Sequence, residues 1–161
     1  MIAACAAAEL REIFDVINDG ASAYRGVIAA DRWKDPYMPL DELHSEIDAG
    51  VVFFGYRENC KLAGVMGLQP VSDVALIRHA YTRSAAQGRG IGSALLEHLR
   101  RQTDLPLLVG TWKAADWAVR FYARRGFAQV SDAQRADLLK RYWSIPDRQI
   151  EESVVLRGAR T

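Results

Sequence analysis

The chain has 161 residues and a mass of 18.0 kDa, with an apolar share of 50% and a charged share of 25%. That balance excludes a disordered, collagen-like or disulfide-stapled polypeptide and suits a single soluble domain spanning residues 1–161. The formal charge of +1 conceals a split: residues 1–60 carry 5 basic and 11 acidic side chains, residues 61–161 carry 16 and 9, which draws attention to an anionic ligand on the second half.

No uncharged apolar run reaches the roughly 18 residues of a membrane span. The segment Met1–Glu9 is apolar but lacks the positive leader of a secretory signal. Cys5 and Cys60 stand in no metal-binding spacing and read as small buried apolar side chains in a reduced, cytoplasmic setting. No metal site is expected.

Leu10, Ile13, Phe14 and Ile17 recur on one helical face, with Gly20 as the stop. A short second helix is predicted near Ser22–Ile28. The two prolines of the stretch Asp31–Pro39 forbid regular helix, and Asp41 then caps a short helix carrying Leu43 and Ile47, closed by Gly50. The period changes at residue 51. Val51–Arg57 and Lys61–Leu68 read as a hairpin about Glu58-Asn59-Cys60, and a turn at Gln69-Pro70-Val71-Ser72 leads to a third strand, Val74–Tyr81.

After a glycine-rich turn, Ile91, Leu95, Leu96 and Leu99 mark a helix ending near Thr103. A strand at Pro106–Gly110, a helix at Asp116–Arg125 stopped by Gly126, a strand at Phe127–Val130, a helix from Asp132 to Tyr142 and a last strand at Ser153–Arg157 complete the chain. Antiparallel strands come first and helices are mixed in later, so the fold class is α+β.

The most informative segment is the turn Gln87-Gly88-Arg89-Gly90-Ile91-Gly92, between a strand and an amphipathic helix. Three alternate glycines let backbone N–H groups approach a ligand closely, and the helix N-terminus adds free donors and partial positive charge. Arg83 and Arg89 supply full charges beside it, so the segment reads as a phosphate site. It lacks the Gly-Lys-Ser/Thr ending of a P-loop and the spacing of a dinucleotide fingerprint. The next strand also ends without the acid that would hold a ribose.

The same turn resembles the acetyl-CoA signature of the GNAT superfamily of N-acetyltransferases, Gln/Arg-x-x-Gly-x-Gly/Ala. A second family element, an aromatic-Tyr-x-x-x-Gly-Phe helix end, is matched by Phe121-Tyr122-Ala123-Arg124-Arg125-Gly126-Phe127. The resemblance implies a mixed sheet of six to seven strands flanked by helices, with a V-shaped splay between the fourth and fifth. By that resemblance the turn residues Gln87, Gly88, Arg89, Gly90, Gly92 and Ser93 would hold the pyrophosphate of coenzyme A. The pantetheine arm would lie along Ala80 and Thr82, with a backbone N–H near Ala80 polarising the thioester. Tyr122 would be the general acid for the departing thiolate. Many members carry an Asn seven positions before this tyrosine, where the present chain has Ala115.

The implied reaction is direct attack of a primary amine on acetyl-CoA in a ternary complex, the two cysteines lying in no motif that would make an acyl-cysteine. A larger acyl group and a non-catalytic acetyl-CoA-binding module stay open as alternatives. Candidates for the general base are Asp35, Glu42, Glu46 and His79. Trp33 and Tyr37 fall in the segment that shapes the family's acceptor wall, and family strand parity turns Arg78 inward and His79 away. An inward Arg78 would suit an amine bearing a carboxylate. Trp143 and Tyr142 read as packing residues against the sheet or a second subunit, and a homodimer is implied by resemblance. No nucleic-acid motif accompanies the 17 Arg and 4 Lys. The acidic first half would face the amine and the basic second half the anionic donor.

Overall fold

The computed structural model describes residues 1–159. Its elements in chain order are β1 (Ile2–Ala4), α1 (Leu10–Ala21), α2 (Leu40–Asp48), β2 (Val52–Glu58), β3 (Lys61–Val71), β4 (Val74–Thr82), α3 (Ile91–Arg100), β5 (Leu107–Trp112), α4 (Asp116–Ala123), β6 (Phe127–Gln129), α5 (Asp132–Tyr142), α6 (Asp147–Glu151) and β7 (Ser153–Gly158). They form one seven-stranded sheet in the order β1-β2-β3-β4-β5-β7-β6. Every neighbour is antiparallel except β4 and β5.

Helices cover both faces. Phe53 and Val65 pack with Ile13, Val16, Ile17 and Leu43 of α1 and α2. Phe54 and Met66, one residue along each strand, pack with Leu95, Leu96 and Leu99 of α3. Alternation of period two thus sends neighbouring side chains to opposite helical layers. Leu76, Leu108 and Val155 make a third cluster with Leu138 and Leu139 of α5.

The parallel pairing of β4 with β5 covers only Ala75–Ile77 against Leu107–Val109. Beyond Ile77 the two strands part, and residues 78–82 of β4 have no partner on that side. This is the expected splay. On its other side β4 carries one extra residue: Val65 pairs with Tyr81 and Gly67 with Arg78, so Met66 faces two residues, His79 and Ala80. His79 sits at φ 53°. Such a bulge reverses the side-chain alternation that follows it.

Several expectations are corrected. Ile2–Ala4 is an edge strand on β2, and α6 is an additional helix. The helix expected over Ser22–Ile28 is a single 3₁₀ turn, Ser22–Tyr24, with Gly26 at φ 80° soon after. Asp41 lies inside the first turn of α2, and the cap position is Pro39. β3 runs on through Pro70 to Val71; β2 begins only at Val52, opposite Leu68, so Pro70 has no strand beside it on that side. Gly20 lies within α1 as a contact point and does not end the helix. A Cβ there would come within 2.9 Å of the Tyr81 Cβ, so its absence lets α1 lie directly against β4. Cys60 is exposed in the two-residue hairpin turn Asn59-Cys60, both residues at positive φ, and Cys5 is half-buried.

Candidate active site

Two cavities open along the splay. The first, about 520 Å³, runs from the turn before α3 to the gap between β4 and β5. Gly88 (φ 78°) and Gly90 (φ 79°) adopt the left-handed backbone that side chains disfavour, and a Cβ on either would meet nothing within 4 Å. The turn therefore presents bare backbone to open space. Gly90 is the cap of α3, so the first amides of that helix are free of intrahelical partners and point to the same side.

Gln87, Gly88, Gly90, Gly92, Ser93, Ala80, Thr82 and Tyr122 all line this cavity. Arg89 does not: its side chain reaches back to Glu58 on β2 at 2.7 Å. Arg83 is likewise turned away, with Nε donating to the Leu62 carbonyl at 2.7 Å. The cation that does face the cavity is Arg125. It stacks on Phe121, 3.9 Å from the ring centre, and its Nε donates to Ser93 Oγ at 2.7 Å. As an acceptor in that bond, Ser93 keeps its own proton free to donate.

Tyr122 is 4% exposed and edge-on to both Phe121 and Phe127. Burial pushes its phenol well above 10, so the group stays protonated across the working pH range. Ala115 occupies the cap position of α4 and supplies no side-chain bond there.

The second cavity, about 480 Å³, is lined by Asp31, Arg32, Lys34, Tyr37, Glu42, Glu46, Arg78 and Trp143 among others. Tyr37 accepts a hydrogen bond from Trp112 Nε1 at 2.8 Å, and burial pushes its phenol up to about 12 despite that bond. Trp33 stands one layer back, stacked on Tyr37 at 5.8 Å. Asp35 lines neither cavity. Trp143 packs over Gly110 as expected and also forms cavity wall, while Tyr142 turns to Asp73 at 2.5 Å.

Arg78 faces the second cavity, but its guanidinium is engaged: Nη2 lies 3.0 Å from Glu46 and Nη1 donates to Gln69 at 3.0 Å. His79 does not turn away. The bulge brings its Nε2 to 3.2 Å from the same Glu46 carboxylate, although that nitrogen is buried with no aligned hydrogen bond. The His79 contact outweighs desolvation, and with the charge of Arg78 it holds the Glu46 carboxyl below its ordinary value.

The two cavities share a wall of Tyr24, Ile77, His79, Tyr81, Gly110 and Thr111. Tyr24 packs against Tyr37, Tyr81 and Trp117 with ring centres 5.6 to 6.1 Å apart. Burial raises the phenols of Tyr24 and Tyr81. Neither tyrosine lies in a sequence motif; only the proximity of Tyr81 to the glycine turn hinted at its place. Among the described residues no group of three or more His, Cys, Asp or Glu side chains is placed to hold a metal ion. Among the described residues no helix is long and apolar enough to cross a membrane.

The family model for the acetyltransferase (GNAT) domain matches residues 18–141. The chain belongs to the GNAT acetyltransferase family. It is an acyltransferase by that membership. The fold agrees with solved GNAT structures along nearly its whole length. An acetyltransferase of the family from Staphylococcus aureus Mu50 superposes with a TM-score of 0.72 at 16% identity, covering 98% of this chain and 97% of that one. PaiA N-acetyltransferase from Thermoplasma acidophilum, solved with coenzyme A, gives 0.71 at 16% identity over 98% and 97%. The ribosomal-protein-S18-alanine N-acetyltransferase of Escherichia coli gives 0.68 at 16% identity over 100% and 94%. No curated protein matches in sequence. In GNAT terms, the splayed β4 and β5 and the glycine turn occupy the places the motifs implied.

Proposed function

We propose that this GNAT enzyme moves an acetyl group from acetyl-CoA to a primary amine, with donor and acceptor held together on either side of the shared wall. The observation that carries the reading is that two cavities meet at one bulged strand, the first bounded by bare glycine backbone and the second by aromatic and charged side chains. The glycines fit the donor: a Cβ at Gly88 or Gly90 would fill the space a diphosphate needs. The acetyl thioester supplies an activated carbonyl whose oxygen gains negative charge as an amine adds.

Gly88, Gly90, Gly92 and Ser93 bind the diphosphate through backbone N–H and hydroxyl donors, with Arg125 taking the role expected of Arg89. Gln87, Ala80 and Thr82 line the path of the pantetheine arm, and Ala80 offers a backbone N–H to the developing charge. Tyr122 gives its proton to the departing thiolate. Burial raises its pKa, so donation requires close alignment with the sulfur and no competing water.

Of the four base candidates, His79 alone lies on both cavities. With Glu46 behind it, it takes the proton released by the attacking amine. Glu42 faces the acceptor from beside Lys34, and Tyr37, backed by Trp33, walls it.

An amine panel followed by thiol release tests the reaction. Turnover with at least one primary amine is expected, and Tyr122→Phe should lower kcat about a hundredfold with the KM for acetyl-CoA unchanged. A panel that releases no thiol overturns the transfer reading, and full activity in Tyr122→Phe removes that residue from the mechanism.

A further inference from the structure

We propose that the acceptor amine carries a carboxylate and that Arg32 receives it; this rests on the amine-transfer reading above and names its substrate class. The charges of the second cavity lead there. Its three acids are each matched to a base: Glu42 to Lys34 at 2.8 Å, Glu46 to Arg78 at 3.0 Å, and Asp31 to Arg148, which grips both carboxylate oxygens, one at 3.0 Å. Among the described residues this cavity therefore offers no unpaired carboxylate to a bare ammonium ion.

Three cations line the same cavity. Lys34 and Arg78 are the bases just named, and the second amino group of Arg78 is taken by Gln69. Among the described residues Arg32 alone of the three has no acidic partner, and its Nε is buried without any hydrogen bond. A buried guanidinium N–H without an acceptor is costly. The two Nη groups of the same side chain, which lines the cavity, make no hydrogen bond among the described residues and would take a carboxylate in the forked pair of bonds that a guanidinium fits.

Arg32 is held in place for this. It ends the 3₁₀ turn Ala30–Arg32, its backbone N–H donates to Ala29 at 2.8 Å, and the neighbouring Asp31 clamps the turn to α6 through Arg148. A zwitterionic amine would meet one free positive charge with its carboxylate and send its amine toward His79.

The test uses the full chain with matched amines: 2-phenylethylamine against phenylalanine, butylamine against 4-aminobutyrate, cadaverine against lysine. In the pair turned over best, the carboxylate-bearing member should have a KM lower by about tenfold or more. Arg32→Ala should erase that preference by raising the same KM, with kcat and the neutral amine's KM within about twofold, and Arg32→Lys should restore part of it. Preference for the neutral member in every pair, or an equal effect of Arg32→Ala on both members, overturns the inference and leaves amine transfer standing.

A second readout needs no turnover. Trp112 and Trp143 line the cavity, so fluorescence titration can compare 3-phenylpropionate with 3-phenylpropanol. Preferential binding of the carboxylate, weakened about tenfold by Arg32→Ala, supports the site even if no amine is acetylated. Binding that Arg32→Ala leaves unchanged, or no carboxylate binding, overturns it.

Discussion

The two cavities are close in size, about 520 and 480 Å³, yet they are built by opposite means. The first cavity, the proposed donor site, is bounded by one contiguous turn, where glycines at φ 78° and 79° and the start of α3 present backbone N–H groups. The second cavity, the proposed acceptor site, takes its character from side chains on α2, β4, the loop before α2 and the segment after α5, joined by ion pairs across the chain. Binding a phosphate by backbone demands a few glycines at fixed spacing, so it leaves a motif. Binding a particular amine demands a pattern of charges that folding assembles from distant positions.

The sharpest way to separate the two is Gly90→Val. A β-branched residue at φ 79° is strained, and its side chain would occupy open space in front of the α3 amides. The KM for acetyl-CoA should rise by about tenfold or more while the KM for the amine holds, and steady-state kinetics with each substrate varied in turn would read it. An equal rise in both constants would mean that the cavities do not act separately.

Glu46→Gln strikes the other side. It removes the partner of Arg78, whose side chain is 20% exposed, and the neighbour of His79. A loss of about 1 to 3 kcal/mol at neutral pH is expected from thermal unfolding. The pH dependence follows from the lowered carboxyl. Its stabilisation is complete above the unfolded value of about 4.3 and is lost as pH falls through the lower folded value. Wild type and variant should therefore converge in acid.

Smaller still is the alkaline effect of the buried tyrosines. Tyr24, Tyr37, Tyr81 and Tyr122 all have raised pKa values, chiefly from burial. The unfolded chain releases these protons near pH 10 and the folded chain does not, so stability is complete below about 10 and declines as pH rises beyond it. Phenolate absorbance from these four should appear together with unfolding; a separate earlier step would show that the shared wall admits water.

The least effect is expected from thiol alkylation at pH 8. Cys60 is exposed, whereas burial and the neighbouring Glu9 push the Cys5 thiol up to about 11. One thiol should react by mass, with no loss of activity, as the proposed direct transfer requires.

The same contrast governs what could be read in advance. Helix α1, the hairpin of β2 and β3, β4, α3 and the cavity residues from Gln87 to Ser93 follow from local period and glycine spacing. β1 escaped because three apolar residues, Ile2–Ala4, have no periodicity, and its pairing partner lies some fifty residues away. Parity assumes an unbroken ladder and so turns His79 away, whereas the extra residue of β4, which reverses the alternation, shows only in its pairing with β3. Strand parity turns Arg78 inward, and it lines the second cavity, but its engagement by Glu46 and Gln69 depends on α2 and β3. Arg125 and not Arg89 faces the first cavity for the same reason: both lie within the family motifs, and tertiary contacts decide which one turns inward.

The clamp between Asp31 and Arg148 joins residues 117 apart in sequence. During synthesis the glycine turn and α3 leave the ribosome while α6 is still to be made. Closing so long a loop costs entropy that local contacts do not. The wall of the second cavity is completed only when α6 arrives to fix the turn that carries Arg32. The proposed substrate preference thus depends on a contact made late in the chain as well as on the turn that carries Arg32.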